Sequence, residues 1–131
     1  MAILSKGEIL KQNKLPTEEV AVPEWGGSVM VRGLTARQVD AWRMAFLGDG
    51  GKVDPARMGN MRADLVSRSV VDKDGQLLFG PTDVAALGDL SSSAIDRVFA
   101  VAQRLSGISE EEQAAMVENF TPDLNGDSSS G

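Results

Sequence analysis

Alternating apolar residues near the start of the chain predict a β-hairpin. Val20 and Val22 share one face of the first run, and Val29 and Val31 share one face of the second. The connection between them, residues 23–28, contains a Gly-Gly pair. Short β-prone runs on either side of such a pair are typical of a hairpin, and the length of this connection leaves its turn type open.

The apolar spacing changes to that of a helix after the hairpin. The first apolar stripe consists of Val39, Trp42, Phe46 and Leu47. Thr35 has the chemistry of an N-cap residue, and Gln38 stands three positions later, where a capping box requires Glu or Gln. The glycine-rich run 48–51 should end this helix, because glycine readily adopts the left-handed conformation beyond a helix C-terminus.

A second helix is predicted to begin at Asp54–Pro55, with Asp as the cap and Pro at the first helical position. The spacing that follows indicates one continuous helix. Its apolar side consists of Met58, Met61, Leu65 and Ser69. Three arginines of the same segment lie off this side.

Two shorter elements are predicted next. Asp74–Gly75 separates two apolar runs and indicates a tight turn or a second short hairpin. Thr82 is placed to cap a short helix that continues to Leu87 and ends at Gly88.

The longest apolar stripe predicts a helix in the second half of the chain, capped by Ser91 or Ser92 and ended by Gly107. Its stripe consists of Ile95, Val98, Phe99, Ala102 and Leu105. Ser109 and Glu112 have the spacing of another capping box, which predicts a last short helix ending near Phe120.

These elements predict three regions in the 131-residue chain. Residues 1–18 are polar with scattered apolar positions, and we expect a flexible N-terminal arm. Residues 19–120 should form a single helix-rich domain. Residues 121–131 are almost free of apolar side chains and should be disordered. The predicted fold class is mainly α: a small helical domain with one or two short β-hairpins (α+β) and a disordered C-terminal tail.

The composition argues against an enzyme. The chain contains no His, no Cys and no Tyr, so that only carboxylates and lysines could act as general acids or bases. Asp72 and Asp74 resemble the start of a calcium loop, but Leu77 and Asp83 stand where such a loop needs Gly and Glu. The glycine clusters lack the pattern of a P-loop or a dinucleotide-binding fingerprint. We therefore predict no catalytic residue, no metal and no cofactor.

Charge and hydropathy limit the partners. The net charge is −6, and residues 74–131 carry ten Asp and Glu against two Lys and Arg. Such an acidic half repels phosphate and anionic lipid, although acidity can also serve solubility alone. The chain lacks the apolar run of a secretory signal or a membrane span, and its lack of cysteine fits a reducing compartment. We expect a soluble protein that binds neither nucleic acid nor membranes.

Three residues are candidates for partner binding. Trp25 lies in the predicted turn, where a large ring is hard to bury, and Trp is enriched among binding hot spots. Met58 and Met61 lie at helical spacing, and methionines can line an adaptable binding groove. The alternative for all three is ordinary packing in the core.

The run from Val22 to Thr35, VPEWGGSVMVRGLT, resembles the N-terminal signature of the tail assembly chaperones of long-tailed phages. Three later segments resemble further parts of the same family in the same order. They cover residues 62–75, 79–88 and 94–120. The ordered set spans about residues 20–120 and leaves the arm and the tail uncovered.

The resemblance implies a non-catalytic role in the host cytoplasm. Proteins of this family bind the long, aggregation-prone tape measure protein and keep it soluble until tail tube subunits polymerise around it. The implied partners are the tape measure protein and the tail tube protein, and a homo-oligomer is compatible with such a coating role. In many such phages a programmed frameshift produces a longer form, and this chain resembles the short one.

Two other functions fit the residues alone. One is a structural component of the virion, such as a minor tail or head-completion protein. The other is a small bacterial adaptor protein without any connection to phages. A carboxylate-only hydrolase is a more distant alternative, because it would need a cleft with paired acids.

Overall fold

The computed structural model describes residues 2–109 and residue 111. The described residues form six helices and three strands. In chain order these are α1 (Lys6–Leu10), β1 (Thr17–Val22), β2 (Gly27–Arg32), α2 (Ala36–Met44), α3 (Pro55–Met58), α4 (Met61–Ser69), β3 (Val70–Val71), α5 (Val84–Gly88) and α6 (Ser92–Leu105). This mainly helical α+β architecture confirms the predicted fold class.

The three strands form an antiparallel sheet with the order β1-β2-β3. β1 and β2 are the predicted hairpin, in register from Thr17 opposite Arg32 to Val22 opposite Gly27. β1 begins before the apolar run, because the backbone N–H of Gly33 bonds to the carbonyl of Pro16 and the pairing continues from there (2.8 Å). The predicted hairpin is thus confirmed and is three residues longer at its start.

The core lies where α4 and α6 pack together and α6 covers one face of the sheet. The inward sheet residues Val22 and Val31 are fully buried, as is Val98 of α6. The small residues Ala94 and Ala102 let α6 approach its neighbours closely, and both are fully buried. This arrangement uses one face of each element, as the alternating and helical patterns require.

α2 begins as the sequence predicts. The Thr35 hydroxyl accepts a bond from the N–H of Gln38, and the Gln38 side chain accepts one from the N–H of Thr35. The helix ends at Met44, before the glycine-rich run, so that Phe46 lies on the following turn. Phe46 is nevertheless buried against Trp42.

The segment that was predicted as one continuous helix is two. Asp54 caps α3 through the N–H of Ala56, as expected, but the chain leaves helical geometry at Asn60 (φ −105°, ψ 9°). Gly59 and Asn60 are weak helix formers, which favours a break at this point. Met58 therefore ends α3, whereas Met61 begins α4.

The turn at Asp74–Gly75 is a tight one, as predicted. The Asp72 carboxylate accepts bonds from the N–H groups of Asp74 and Gln76, and Gly75 has a φ of 83°. Asp72 therefore serves as a turn residue. The turn closes a short hairpin in which Leu77 pairs with Val71.

Two helix starts differ in how well the sequence predicted them. Ser91 caps α6 by accepting from the N–H of Ala94, and Gly107 with a φ of 74° follows its end, both as expected. Thr82 does not cap α5. It lies inside a 3-10 turn, Pro81–Asp83, in which the Asp83 carboxylate accepts the N–H of Gly80. The 3-10 turn leads directly into α5, and no side chain caps the start of that helix.

The structure describes most of the predicted N-terminal arm but not the predicted C-terminal tail. α1 has no buried residue and lies within the predicted arm, whereas β1 includes the last two positions of that region. The predicted last short helix and the tail, residues 121–131, lie outside the described residues apart from residues 109 and 111. The division into arm, domain and tail stays a prediction.

Candidate partner-binding surface

Trp25 lies at the tip of the β1–β2 hairpin. It ends the 3-10 turn Pro23–Trp25, and Gly26 with a φ of 74° turns the chain back into β2. The ring is partly buried against the edge of the core. Part of the indole therefore faces solvent while the rest is supported, a placement typical of a contact residue and equally of a core edge.

The two methionines differ in exposure. Met58 is half-buried at the end of α3 and packs against the core. Met61 is only 8% exposed, and its carbonyl accepts a bond from the indole N–H of Trp42 (3.0 Å). Met61 thus offers little surface in this conformation, and partner contact by either methionine stays a prediction.

Two ion pairs bring the hairpin tip and the start of α4 to the same end of α6. Glu24, next to Trp25, bonds to Arg97 (3.0 Å), and Arg62, next to Met61, bonds to Asp96. Because Asp96 and Arg97 are adjacent, both segments are held at the first turns of α6. Leu90, which is 45% exposed, precedes the same helix. We name this region, defined by Trp25 and Leu90, the hairpin-tip surface.

Hydrogen bonds to the Glu24 carboxylate strengthen the attachment of the hairpin tip to α6. A hydrogen bond from its own backbone N–H lowers the pKa of Glu24, and bonds from the Ser93 hydroxyl and the Arg97 guanidinium lower this pKa further. The charged carboxylate is therefore the form that the folded protein favours.

A second surface feature is a groove of about 560 Å³ beside α4. Its apolar lining comes from four separate segments of the chain. These residues are Ala45, Phe46, Ala56, Leu77, Phe79 and Val84. We name it the α4 groove. Sequence reasoning missed it, because no local pattern shows that these segments meet.

The rim of the α4 groove carries two ion pairs. Asp54 pairs with Arg57 (3.3 Å), and Asp64 pairs with Arg68 one helical turn later. The Arg57 guanidinium also donates to the carbonyl of Leu47. The charges at the rim are therefore already paired with each other, and the interior of the groove is apolar. This combination suits an amphipathic segment of another polypeptide.

The described part of the chain has no group of three or more acidic residues placed to hold a metal ion. Within the same residues, no helix combines the length and the apolar character that crossing a bilayer would require. The features that stand out in the same residues are a partly exposed hairpin tip and an apolar groove. These features are typical of the class of small protein-binding modules.

Comparison with known proteins assigns the family. The family model described as phage tail assembly chaperone matches residues 9–116, and the chain belongs to this family. The family is one of non-enzymatic chaperones, so the protein is not an enzyme. Comparison with curated proteins gave no match.

A solved structure shares the fold. The tail assembly chaperone of bacteriophage HK97 superimposes with a TM-score of 0.53 at 19% sequence identity. The match covers 70% of this chain and 85% of the HK97 chain. At this identity the likeness establishes the fold, whereas the chaperone assignment comes from the family model.

Proposed function

We propose that this tail assembly chaperone binds the tape measure protein and keeps it soluble until tail tube subunits polymerise around it. The observation that carries the proposal is the family match, which extends over residues 9–116. The resemblance of Val22–Thr35 to the family signature supports it from the residues themselves. The host cytoplasm is the compartment in which such a step would take place.

We place the client on the hairpin-tip surface. Trp25 is partly exposed there and packed from behind by the core, so that binding would order little additional structure. Met58, which is likewise partly exposed, is a further candidate contact. Met61 would support the client contact from within the core, or it would reach the client after a small shift of α4. A client bound by modest apolar contacts can be released later, and several copies on one long client gain avidity.

Co-expression tests this function. The long helical protein encoded next to this gene would be produced with and without the chain, and its soluble fraction and co-purification would be measured. We expect soluble, co-purifying client only in the presence of the chain. An insoluble client in both cases, together with this chain in finished particles, would instead identify a structural component of the virion.

Trp25→Ala tests the surface. We expect at least about tenfold weaker client binding, because Trp side chains are common hot spots, with little change in the melting temperature. Met44→Ala is the control, since Met44 is 62% exposed and lies on another element. A large loss of stability in Trp25→Ala would show that this ring serves the core rather than the client.

The longer-form hypothesis and the tail tube partner rest on the same family. We propose that a programmed frameshift extends a minority of chains and that the released chaperone gives way to the tail tube protein. Sequencing the gene beyond its stop codon tests the first point. The absence of an overlapping reading frame there would exclude it. Mass spectrometry of purified particles tests whether the chaperone is absent from the mature virion.

A further inference from the structure

A cavity of about 570 Å³ lies at the C-terminal end of α6. Its lining comes from the second half of the helix and from the turn that follows it. These residues are Ala100, Gln103, Arg104, Gly107, Ile108 and Ser109. We name this cavity the α6 pocket. Residues 110–131 begin at its rim, because Ser109 belongs to the lining.

Gln103 brings an unsatisfied hydrogen-bond donor to the α6 pocket. The residue is 7% exposed, and among the described residues its side-chain nitrogen Nε2 has no hydrogen-bond partner. Its backbone carbonyl, in contrast, accepts the N–H of Ile108 (3.0 Å). A buried donor without an acceptor is unfavourable, so that an oxygen atom from a further segment would stabilise this site.

The sequence beyond the pocket predicts an amphipathic helix, for which Ser109 and Glu112 supply the capping box. At helical spacing, one face carries a polar amide followed by apolar side chains, namely Gln113, Met116, Val117 and Phe120. Glu118 lies on the opposite face. A helix as short as residues 110–120 is only marginally stable in water by itself. It therefore requires a surface against which its apolar face can pack.

The turn after α6 directs this segment back along the same helix. Only residues 106–108 separate Leu105, the last residue of α6, from the predicted cap Ser109. Gly107 has a φ of 74°, which ends α6 and turns the chain. Helices joined by so short a connection pack as antiparallel neighbours in an αα-hairpin.

α6 offers a suitable stripe for an antiparallel partner. Ala100 is exposed, and its small side chain lets another helix approach closely. Gln103 and Arg104 lie one turn after it, and Asp96 and Arg97 lie one turn before it. Asp96 and Arg97 hold the start of α4 and the hairpin tip. The stripe thus leads from the α6 pocket to the hairpin-tip end of the molecule.

We propose that residues 110–120 form a helix that docks antiparallel to α6 and closes the α6 pocket. Met116 then packs over Ala100, since the two residues are equally distant from the turn. For the same reason Gln113 lies opposite Gln103, and its side-chain oxygen accepts the unsatisfied N–H of Gln103. The occupant of the pocket is thus the chain's own C-terminal segment.

The proposed docking carries the C-terminal residues towards the hairpin tip. A helix over residues 110–120 extends about 16 Å, which brings Phe120 beside the first turns of α6. Residues 121–131 then leave the domain next to the hairpin-tip surface. Their proximity to a bound client rests on the proposed function, whereas the docking itself does not.

Disulfide formation in the full chain tests the docking. The protein has no cysteine, so Ala100→Cys and Met116→Cys can be combined without background. Ala100→Cys with Glu118→Cys is the matched control, because position 118 is equally near in sequence and lies on the opposite face of the predicted helix. In dilute solution under oxidising conditions, the first pair should close at least about tenfold faster than the control. Comparable rates for the two pairs would overturn the proposal.

Hydrogen exchange measured by mass spectrometry gives a second test. In the unmodified chain, the backbone amides of residues 113–120 should exchange at least about tenfold more slowly than in Met116→Asp. Glu118→Ala is the control and should retain the slow exchange. Slow exchange of the α4 amides would verify that the domain of each variant is folded. Fast exchange of residues 113–120 already in the unmodified chain would overturn the proposal. Both tests omit the client, so their failure would leave the proposed function intact.

Discussion

At the scale of single residues, Trp42 combines complete burial with a specific hydrogen bond. Its side chain is fully buried, its indole N–H donates to the carbonyl of Met61, and its ring meets Phe46 edge-on at 5.2 Å. The bond joins α2 to the first residue of α4, where helical geometry resumes after the break. Trp42 thus positions two helices as well as filling space.

Trp42→Phe should lower the free energy of unfolding by about 2–3 kcal/mol. The change removes the indole donor from the Met61 carbonyl and opens a space in the core. Urea unfolding followed by far-ultraviolet circular dichroism would measure it. Trp25→Phe is the control and should cost less than about 1 kcal/mol, because the Trp25 ring is only partly buried. Equal losses for the two variants would contradict this account.

At the scale of elements, Gly33 lets the end of α6 approach the end of β2. A Cβ atom at this position would lie 2.4 Å from the carbonyl oxygen of Leu105 and 3.1 Å from Cγ of Pro16. Its φ lies outside the left-handed range, so close approach alone requires glycine here. The Ser106 hydroxyl accepts the N–H of Leu34 at the same junction.

Gly33→Ala should therefore destabilise the fold by about 1–3 kcal/mol, because backbone atoms would have to separate. Gly27→Ala is the control, since no atom lies within 4 Å of a Cβ there, and its effect should stay within about 1 kcal/mol. Thermal unfolding of both variants would test this. A Gly33→Ala protein as stable as the control would show that α6 can shift without cost.

The Glu24 carboxylate gives the attachment of the hairpin to α6 a pH dependence, because hydrogen bonds from its own backbone N–H, from the Ser93 hydroxyl and from the Arg97 guanidinium all lower its pKa. Since the pKa of Glu24 is lowered in the folded state, its contribution is complete above the ordinary value of 4.5 and is lost as the pH falls through the lowered pKa. Glu24→Gln should reduce stability at pH 7, and its difference from the unmodified chain should shrink below about pH 4.5.

Urea titrations between pH 7 and pH 3 would measure this difference. Glu19→Gln is the control, because Glu19 lies at an exposed position of β1. A difference for Glu24→Gln that stays constant across the pH range would show that the carboxylate contributes through its shape alone.

At the scale of the whole molecule, one core joins the elements from β1 to α6. A single hydrophobic cluster includes buried residues of β1, β2, α2, α4, β3, α5 and α6. Cooperative unfolding is expected of a small domain with one such core. Tryptophan fluorescence, which reports on Trp25 and Trp42, and circular dichroism should give coincident unfolding curves. Two separated transitions would contradict the single-domain prediction.

The sequence predicted those elements whose start is determined by residues close to one another in the chain. Thr35 and Gln38, for example, satisfy each other's backbone groups, and this pairing needs no distant neighbour. The alternation of Val29 and Val31 likewise specifies a strand face by itself. The family resemblance, over about residues 20–120, overlaps the family model match from residue 20 onward, whereas the match itself begins at residue 9, within the predicted arm.

The remaining differences arise where a choice depends on competition or on distant contacts. A 3-10 turn at Pro81–Asp83 placed Thr82 inside a turn that leads directly into α5, and Gly59–Asn60 broke a helix that apolar spacing alone predicted to be continuous. The spacing of Met58 and Met61 is the same in a continuous helix and a broken one. Helical spacing therefore could not show that the two residues lie on different elements.

The sequence by itself determined the hairpin, the caps of α2, α3 and α6, the fold class and the chaperone family, because each depends on order and spacing along the chain. Only the tertiary structure decided that Met61 is buried and accepts a bond from Trp42, and that four distant segments enclose the α4 groove. Burial and cavities depend on which surfaces meet in space. Local patterns state which face of an element is apolar, whereas packing decides what that face touches.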